Sequence, residues 1–327
     1  MINYQGPEFQ LVETISAADL ARQGGFQPRK TPLLVKGAVK SWPAWDKWTF
    51  AKLAELKRPD GSEVISSFQN GLVEQGMTKE PLDLPVAPYL RELDELARKI
   101  RAEWNGNTGL CPDRVWKGLK PGDRFHLNWD HLQSFTPNRI YLAQWDILRE
   151  FPEMKKDFAI RTLWPGWRMT WQYVFIGPSN TVTGLHYDFP DNWFCQVAGV
   201  KEFLLFPPEN TPHMHTSKKF DWGATLSDIN ISKLAEQPQM REDFAKTKGL
   251  YARVEAGDAL FVPKQTWHCV VALEPSVSLA VFGLTLPEVL IGGGRAELKA
   301  LLHSMRLYRW GNCTCHKMTA APKGAKV

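Results

Sequence analysis

Long apolar runs are missing from this sequence of 327 residues. No stretch reaches the roughly 18 consecutive apolar residues of a transmembrane helix, so no membrane-spanning segment is expected. The opening residues, MINYQGPEFQLVE, have neither the basic stretch nor the apolar stretch of a secretory signal peptide, and none is expected. Blocks of lysine and arginine are also missing, apart from a weakly basic tail after His316. A nucleic-acid partner is therefore not expected.

Cysteines are few: the chain has five, an odd number without the regular spacing of a disulfide framework. This usage is typical of a reducing cytoplasm, which we take as the expected location. Two of them lie in the tail segment Cys313-Thr314-Cys315-His316. That segment offers three close metal ligands but no second cluster to complete a zinc site. A free tail is therefore favoured over zinc binding.

The composition is that of an ordinary soluble domain, with 43% hydrophobic residues, 23% charged residues and a formal net charge of +5. Fourteen tryptophans predict an aromatic-rich core or groove. No internal repeat or Ser/Gly linker interrupts the chain, so we expect one domain over residues 1–327. Its expected parts are an N-terminal α/β region (1–138), a β core (139–285) and a C-terminal helix with a basic tail (286–327).

Helices and two strands are predicted in the N-terminal region from apolar spacing and capping residues. The helices are expected at 13–22 with Ser16 as N-cap, from residue 48 onward with Thr49 as N-cap, and at 85–103; the strands are expected at 32–37 and 62–67. Segment 104–136 is rich in Gly, Asn and Pro. It is predicted to be a loop.

Short strands dominate from residue 139 onward, where β-branched and aromatic residues stand between turn residues. They are expected at 140–145, 171–177, 183–188, 193–197, 201–206, 251–254, 259–262, 268–273 and 277–284. The two strands on either side of Gly199 are expected to form a hairpin, and 207–250 is expected to be a long excursion with one weak helix. So many short strands predict a mainly β fold with helical additions, a sandwich or jelly roll.

The strongest functional signal is His186-Tyr187-Asp188, followed 80 residues after Asp188 by His268. Residues i and i+2 of a strand point to the same face, so His186 and Asp188 can aim at one point. A neighbouring strand, entered through the turn at Gly257, can add His268. Two imidazoles and one carboxylate on one face of a metal leave three positions open, which is the ligand set of non-haem Fe(II) oxygenases. The pattern predicts a metal site.

Four further histidines are weaker candidates for metal ligands. His213 and His215 have ligand spacing, but they lie in a Pro-rich excursion without strand character. His126 and His131 lie in the predicted loop and are expected at the surface or in a cleft.

Lys201 is a second functional candidate because the apolar run Phe203-Leu204-Leu205-Phe206 follows it. A lysine buried in such a strand needs an anionic partner, since an unpaired buried charge is costly. A lysine at the start of a strand more often reaches solvent. The residues alone leave both interpretations open.

The block T-x-x-HYD-x-x-x-NWF-x-Q-x-x-G-x-K-x-x-x-LFPP, which begins at Thr183, resembles JmjC/cupin-type 2-oxoglutarate oxygenases. Within that family it is similar to the asparaginyl hydroxylase that inhibits hypoxia-inducible factor. The resemblance extends from about Arg139 to Thr285. It is weaker over the N-terminal third, where the segment LLVKGAVKSWPAWDKWT is similar to the family's entry segment. It implies a double-stranded β-helix, which is a jelly roll, with Fe(II) as the metal and with 2-oxoglutarate and O₂ as cosubstrates.

The resemblance also implies roles for individual residues. It assigns iron to His186, Asp188 and His268, the distal carboxylate of 2-oxoglutarate to Lys201, Thr183 and Tyr141, and a place near iron and keto-acid to Asn192. Trp193, Phe194 and Trp267 are expected to help exclude water from the site. Phe282 departs from the pattern, because the asparaginyl hydroxylase has an asparagine there. This apolar wall argues against assuming the same substrate.

The activity implied is hydroxylation of a peptide or protein side chain, with release of succinate and CO₂. One alternative is hydroxylation or demethylation of a small molecule, a modified nucleoside or methyl-lysine. Another is a metal-binding cupin without oxygenase activity, an isomerase or a sensor, against which Lys201 argues.

The C-terminal segment is expected to form a helix over 295–308. The resemblance implies a homodimer through this helix, whose apolar stripe comprises Leu298, Leu301, Leu302 and Met305. Packing of the stripe against the β core is the alternative.

Overall fold

The described part of the chain is built around two β-sheets. The computed structural model describes residues 6–70, 81–106, 108–135, 137–138, 140–160, 163, 166–221, 223–289 and 294–313. Cys315 and His316 of the tail segment lie outside these residues, so the structure tests neither the favoured free tail nor the zinc alternative. None of the helices within them is long and apolar enough to cross a membrane.

Strand order in the two sheets defines the architecture. The first sheet has the order β12 (Ala224–Leu226), β9 (Val182–Asp188), β15 (Trp267–Ala272), β11 (Lys201–Phe206), β13 (Lys248–Val254), β1 (Glu8–Leu11) and β6 (Arg124–His126). The second has the order β2 (Thr14–Ser16), β3 (Leu33–Lys36), β14 (Ala259–Val262), β10 (Asp191–Ala198), β16 (Ser276–Leu284), β8 (Met169–Gly177), β7 (Ile140–Trp145), β4 (Ile65–Asn70) and β5 (Leu82–Pro85).

The strands from β8 to β11 lie alternately in the second and first sheets, and the strands from β13 to β16 alternate in the same way. Each is antiparallel to its neighbours within this eight-stranded core. This crossing pattern is a jelly roll, and the predicted fold is confirmed. The N-terminal strands extend both sheets at their edges.

The predicted hairpin around Gly199 is wrong. β10 pairs with β14 and β16, whereas β11 pairs with β13 and β15 in the other sheet. Gly199 has a φ of 77°, and a Cβ there would lie 2.2 Å from the carbonyl oxygen of Pro275. The glycine therefore makes a corner at which the chain crosses between sheets, and the turn signal in the sequence does not distinguish such a corner from a hairpin.

Three layers of apolar side chains hold the fold together. The layer between the sheets includes Phe194, Phe203, Leu205 and Phe282. A second layer covers the outer face of the second sheet with N-terminal helices, and a third covers the outer face of the first sheet with the segments around 110–132 and 214–244. Because both faces of the central strands are covered, β11, β14, β15 and β16 are buried along their whole length.

Helices lie mostly outside the sheets. They are α1 (Ala17–Arg22), α2 (Ala44–Lys47), α3 (Phe50–Leu53), α4 (Val86–Glu103), α5 (Asp113–Trp116), α6 (Asp130–Gln133), α7 (Ile147–Glu150), α8 (Pro238–Ala245), α9 (Leu286–Glu288) and α10 (Gly294–Ser304), with 3₁₀ turns at Pro152–Asp157, Pro208–His213 and Ile231–Glu236. Both predicted caps are confirmed: Ser16 Oγ accepts from Asp19 N at 3.0 Å, and Thr49 Oγ1 accepts from Lys52 N at 3.3 Å. Segment 104–136 was predicted to be a loop, but it contains the short elements α5, β6 and α6.

Candidate metal centre

The three predicted metal ligands lie together at one end of the first sheet. His186 and Asp188 come from β9, and His268 stands directly opposite His186 on β15. One ligand atom from each side chain lies within 4.8 Å of the other two. His268 Nε2 lies 3.6 Å from Asp188 Oδ2. Among the described residues, this is the only group of three His, Cys, Asp or Glu side chains so arranged.

Both imidazoles are held in the orientation that a metal ligand needs. His186 Nδ1 lies 2.7 Å from the carbonyl oxygen of Gly184, and His268 Nδ1 lies 2.9 Å from that of Thr266. Because a carbonyl can only accept, each ring carries its proton on Nδ1 and leaves the Nε2 lone pair free. Such a second hydrogen bond fixes the tautomer and the ring plane of metal-ligating histidines.

Asp188 provides the negative charge of the site. Its side chain is 15% exposed, and burial raises the pKa of this carboxyl group to about 6. Burial also lowers the pKa of His268 well below its usual value, which keeps this ring neutral. Two neutral imidazole nitrogens and one carboxylate are the donors that suit Fe(II), and the residues present therefore fit that ion.

A buried lysine lies in the interior between the two sheets. Lys201 is 3% exposed, and its Nζ donates to the phenol oxygen of Tyr141 at 3.3 Å. Nζ also lies 5.1 Å from the ring centroid of Phe194. The described residues place no carboxylate within ion-pair distance of it, and burial lowers the pKa of Lys201 to about 7. Tyr141 reaches this place because Gly177 leaves room, since a Cβ there would lie 2.3 Å from the ring.

Thr183 faces the interior because β9 contains a bulge. His268 pairs with His186 and Val270 pairs with Thr183, so two residues of β15 span three residues of β9. In a regular strand, Thr183 and His186 would point to opposite faces. The extra residue brings Thr183 opposite Val270, whose side chain belongs to the interior layer. Sequence alternation alone cannot reveal such a bulge.

Asn192 and Phe282 are direct neighbours on β10 and β16. Asn192 is 5% exposed, and its Oδ1 accepts no hydrogen bond from the described residues. Phe282 packs against Trp171 at 6.0 Å between ring centroids and against Tyr173 at 6.3 Å. The interior therefore holds one unsatisfied amide oxygen beside an aromatic wall, in agreement with the apolar wall expected at Phe282.

The expectation that Trp193 and Trp267 exclude water from the site is wrong. Trp193 and Trp267 are fully buried in the layers outside the two sheets, while Phe194 alone of that predicted set faces the interior. Trp193 and Phe194 are consecutive on β10, so they must point to opposite faces.

The other candidate ligands lie apart from the centre. His215 Nε2 bonds to Asp243 Oδ2 at 2.9 Å. His126 Nδ1 bonds to the carbonyl oxygen of Pro7 at 3.2 Å, and the His131 ring packs edge-to-face against Phe135 at 5.2 Å between ring centroids. Neither these histidines nor His213 belongs to a metal-ligand group within the described residues.

Sequence reasoning missed the role of Glu202, which lies on β11 next to Lys201. Glu202 is fully buried, and its carboxylate accepts from Leu110 N at 2.8 Å, Cys111 N at 3.0 Å and the Tyr251 hydroxyl at 2.7 Å. It thereby fastens the covering segment that precedes α5 to the strand carrying the lysine. A lone glutamate before an apolar run gives no sequence signal for this role.

Comparison with known proteins identifies the family. Residues 23–282 match the model of the cupin-like domain. This chain belongs to the cupin-like domain family. The predicted JmjC/cupin membership is thereby confirmed, since the relatives include proteins named for a Jumonji C or JmjC domain.

The names of the relatives indicate different roles. The chain is 30% identical to the tRNA wybutosine-synthesizing protein 5 of Gallus gallus over 261 residues, which cover 80% of this chain and 72% of the relative. It is 22% identical to the lysine-specific demethylase JMJ31 of Arabidopsis thaliana over 84% of this chain and 50% of that protein. It is 29% identical to the Jumonji C domain-containing protein 5 of Drosophila melanogaster over 76% and 53%. The chain thus spans about half the length of the last two.

Proposed function

We propose that this protein is an Fe(II)- and 2-oxoglutarate-dependent oxygenase that hydroxylates a peptide or protein side chain and releases succinate and CO₂. One observation carries the proposal. The cluster of two histidines and one carboxylate shares the interior between the two sheets with a buried lysine, for which the described residues provide no carboxylate partner. A metal-binding cupin of another class has no use for that lysine, whose burial without a counter-charge is costly.

In this proposal His186, Asp188 and His268 hold Fe(II). The free Nε2 atoms of the two histidines and the Asp188 carboxylate would supply three ligand atoms to the ion. Bound Fe(II) and 2-oxoglutarate together supply the chemistry that activates O₂. The protein contributes the fixed ring planes and the carboxylate charge.

Lys201, Tyr141 and Thr183 bind the cosubstrate. The ammonium group of Lys201 pairs with the distal carboxylate of 2-oxoglutarate, which provides the missing counter-charge. The Tyr141 hydroxyl, 3.3 Å from Nζ, and the Thr183 hydroxyl donate to the same carboxylate. Asn192 offers its amide to the keto-acid near the metal.

The apolar interior layer excludes water from the proposed site. Phe203 and Leu205 follow Lys201 on the same face of β11, and Phe194 and Phe282 line the facing sheet. A low-polarity surrounding strengthens the pairing of the lysine with a carboxylate. The same layer would keep solvent away from the reacting groups.

A product assay tests this proposal. Purified protein is supplied with Fe(II), 2-oxoglutarate and O₂ together with panels of peptides, nucleosides and RNA oligonucleotides. We expect succinate release that one or more peptides stimulate, with a gain of one oxygen atom in the peptide by mass spectrometry. Absence of succinate under all conditions would contradict an oxygenase of any substrate class.

Hydroxylation of a modified nucleoside in RNA is the second candidate. It is favoured by the 30% identity to a tRNA wybutosine-synthesizing protein over most of both chains. Trp171, half-buried and stacked on Phe282, would provide the flat surface on which a base stacks. Stimulation of succinate release by RNA oligonucleotides and by no peptide would select this candidate over the first.

A further inference from the structure

An open groove runs along the outer edge of β8, beside the jelly roll. It has a volume of about 570 Å³ and lies between residues 170–173 on one side and α7 with the following 3₁₀ turn on the other. Trp171 and Tyr173 line it while also packing against the interior aromatic layer. The groove therefore adjoins the wall of the proposed catalytic interior.

The edge of β8 along this groove pairs with no described strand. β7 is its neighbour on this side, but the pairing consists of Leu142 with Ile176 and Trp145 with Val174. The register shifts between those two pairs, and Gln144 within the shift has a φ of 54°. This bulge turns the chain away into α7. Along residues 169–173, alternate backbone N–H and C=O groups thus have no partner strand in the described part of the chain and can pair with an added strand.

The free edge lies level with the metal-ligand cluster. β8 ends at Gly177 and β9 begins at Val182, so the two strands run in opposite directions from a short connection. Tyr173 lies four residues before the end of β8, and His186 lies four residues after the start of β9. At about 3.3 Å per residue, both lie about 13 Å from the connection.

The groove carries an excess of positive charge on its outer wall. Arg149 and Lys155 line it, and Asp146 is the one acidic side chain among the described residues that line it. Both cations are exposed, and neither forms an ion pair with a described carboxylate. Such a wall favours a negatively charged partner through complementarity.

We propose that this groove docks the substrate as an extended acidic polypeptide segment, which adds as a strand to the free edge of β8. Backbone pairing along 169–173 supplies affinity that does not depend on the side chains of the peptide. Arg149 and Lys155 select peptides with acidic side chains. Alternate residues of the added strand point toward Trp171 and Tyr173 and so toward the interior. The inference rests on the proposed peptide hydroxylase function and specifies its substrate class.

The test selects peptides without knowing the natural substrate. A phage-displayed library of random ten-residue peptides is panned on the wild-type protein. The best peptide is then synthesised with a fluorescein label, and its affinity is measured by anisotropy. We expect enrichment of Asp and Glu, and a loss of affinity of about tenfold in the Arg149→Glu/Lys155→Glu variant. Lys156→Glu, an adjacent exposed lysine that does not line the groove, should stay within about twofold of wild type.

Backbone pairing is tested with two N-methylated versions of the selected peptide. Each version is methylated on one of the two alternating sets of amides. We expect one version to lose affinity by more than about tenfold and the other to retain it, because only one edge of a strand pairs with β8. Equal tolerance of both versions, no acidic enrichment or unchanged binding by the double variant would overturn the inference. A ten-nucleotide oligouridine that binds more tightly than the selected peptide and depends on Arg149 and Lys155 would also overturn it.

The peptide test needs neither iron nor turnover, so its failure can be separated from failure of the proposed function. Succinate release is measured on the same preparations without peptide. If succinate forms but the groove binds no acidic strand, the docking inference fails and the oxygenase function stands. If peptides bind but no succinate forms under any condition, the oxygenase function fails.

Discussion

Lys201 Nζ lies 3.3 Å from the phenol oxygen of Tyr141, and each of the two residues is 3% exposed. The pair places a cation where the described residues offer it no anion. A dicarboxylate cosubstrate supplies that anion in the function proposed above. The burial of Lys201 without a counter-charge, which is costly, is therefore explained by the binding of 2-oxoglutarate.

Lys201→Ala should weaken binding of 2-oxoglutarate by roughly two to three orders of magnitude. Removing one partner of a buried charge pair costs about 3–5 kcal/mol, and tenfold in affinity corresponds to about 1.4 kcal/mol. Titration calorimetry without O₂, with the metal site loaded, measures the change.

Metal affinity of Lys201→Ala should be unaltered, because no metal ligand is removed. Lys201→Arg should rescue only in part, since a planar fork does not fit a point-charge site. Binding by Lys201→Ala within about threefold of wild type would place the distal carboxylate elsewhere.

Binding of 2-oxoglutarate should take up a proton above about pH 7. Burial lowers the pKa of Lys201 to about 7, so the amine of the free protein is mostly neutral at pH 8. The bound carboxylate favours the charged form and raises this pKa, and the lysine then gains a proton. Affinity should accordingly fall as pH rises beyond about 7. Calorimetry at pH 8 in two buffers of different ionisation enthalpy measures the uptake. Equal proton uptake by Lys201→Met would contradict the assignment to this lysine.

Glu202→Ala should destabilise the folded protein by about 3 kcal/mol or more. It leaves the buried N–H groups of Leu110 and Cys111 and the Tyr251 hydroxyl without their acceptor, and each unsatisfied buried donor costs about 1–3 kcal/mol. Urea unfolding compares this variant with Glu209→Ala, which removes an exposed carboxylate. A difference of less than about 0.5 kcal/mol between the two variants would show that Glu202 does not anchor the covering segment.

The C-terminal helix should mediate a homodimer. In α10 and just after it, Leu298, Leu301 and Met305 are each more than half exposed. They do not pack against the β core in this chain. A Leu298→Glu/Leu301→Glu variant should sediment as a monomer, whereas Lys299→Glu on the same helix should keep the dimer mass. A wild-type protein of monomer mass, or a double variant of dimer mass, would refute the prediction.

The sequence predicted features that depend on local pattern. Alternating strands and turn residues located the eight core strands, and the i, i+2 spacing of His186 and Asp188 placed them on one face. Features set by pairing over long distances were not predictable. The crossing at Gly199 has the same local signal as a hairpin. The bulge that turns Thr183 inward depends on how β9 aligns with β15. The free edge of β8 depends on where β7 turns away.

Succinate release from 2-oxoglutarate by the Asp188→Ala variant tests the central claim most directly. Asp188 brings the negative charge and one of the three ligand atoms of the proposed Fe(II) site. We predict Fe(II)-dependent succinate formation by the wild-type protein and by Asp228→Ala, which removes an exposed carboxylate away from the cluster. We predict none above background by Asp188→Ala. Full succinate formation by a folded Asp188→Ala variant would contradict the metal centre and the function built on it.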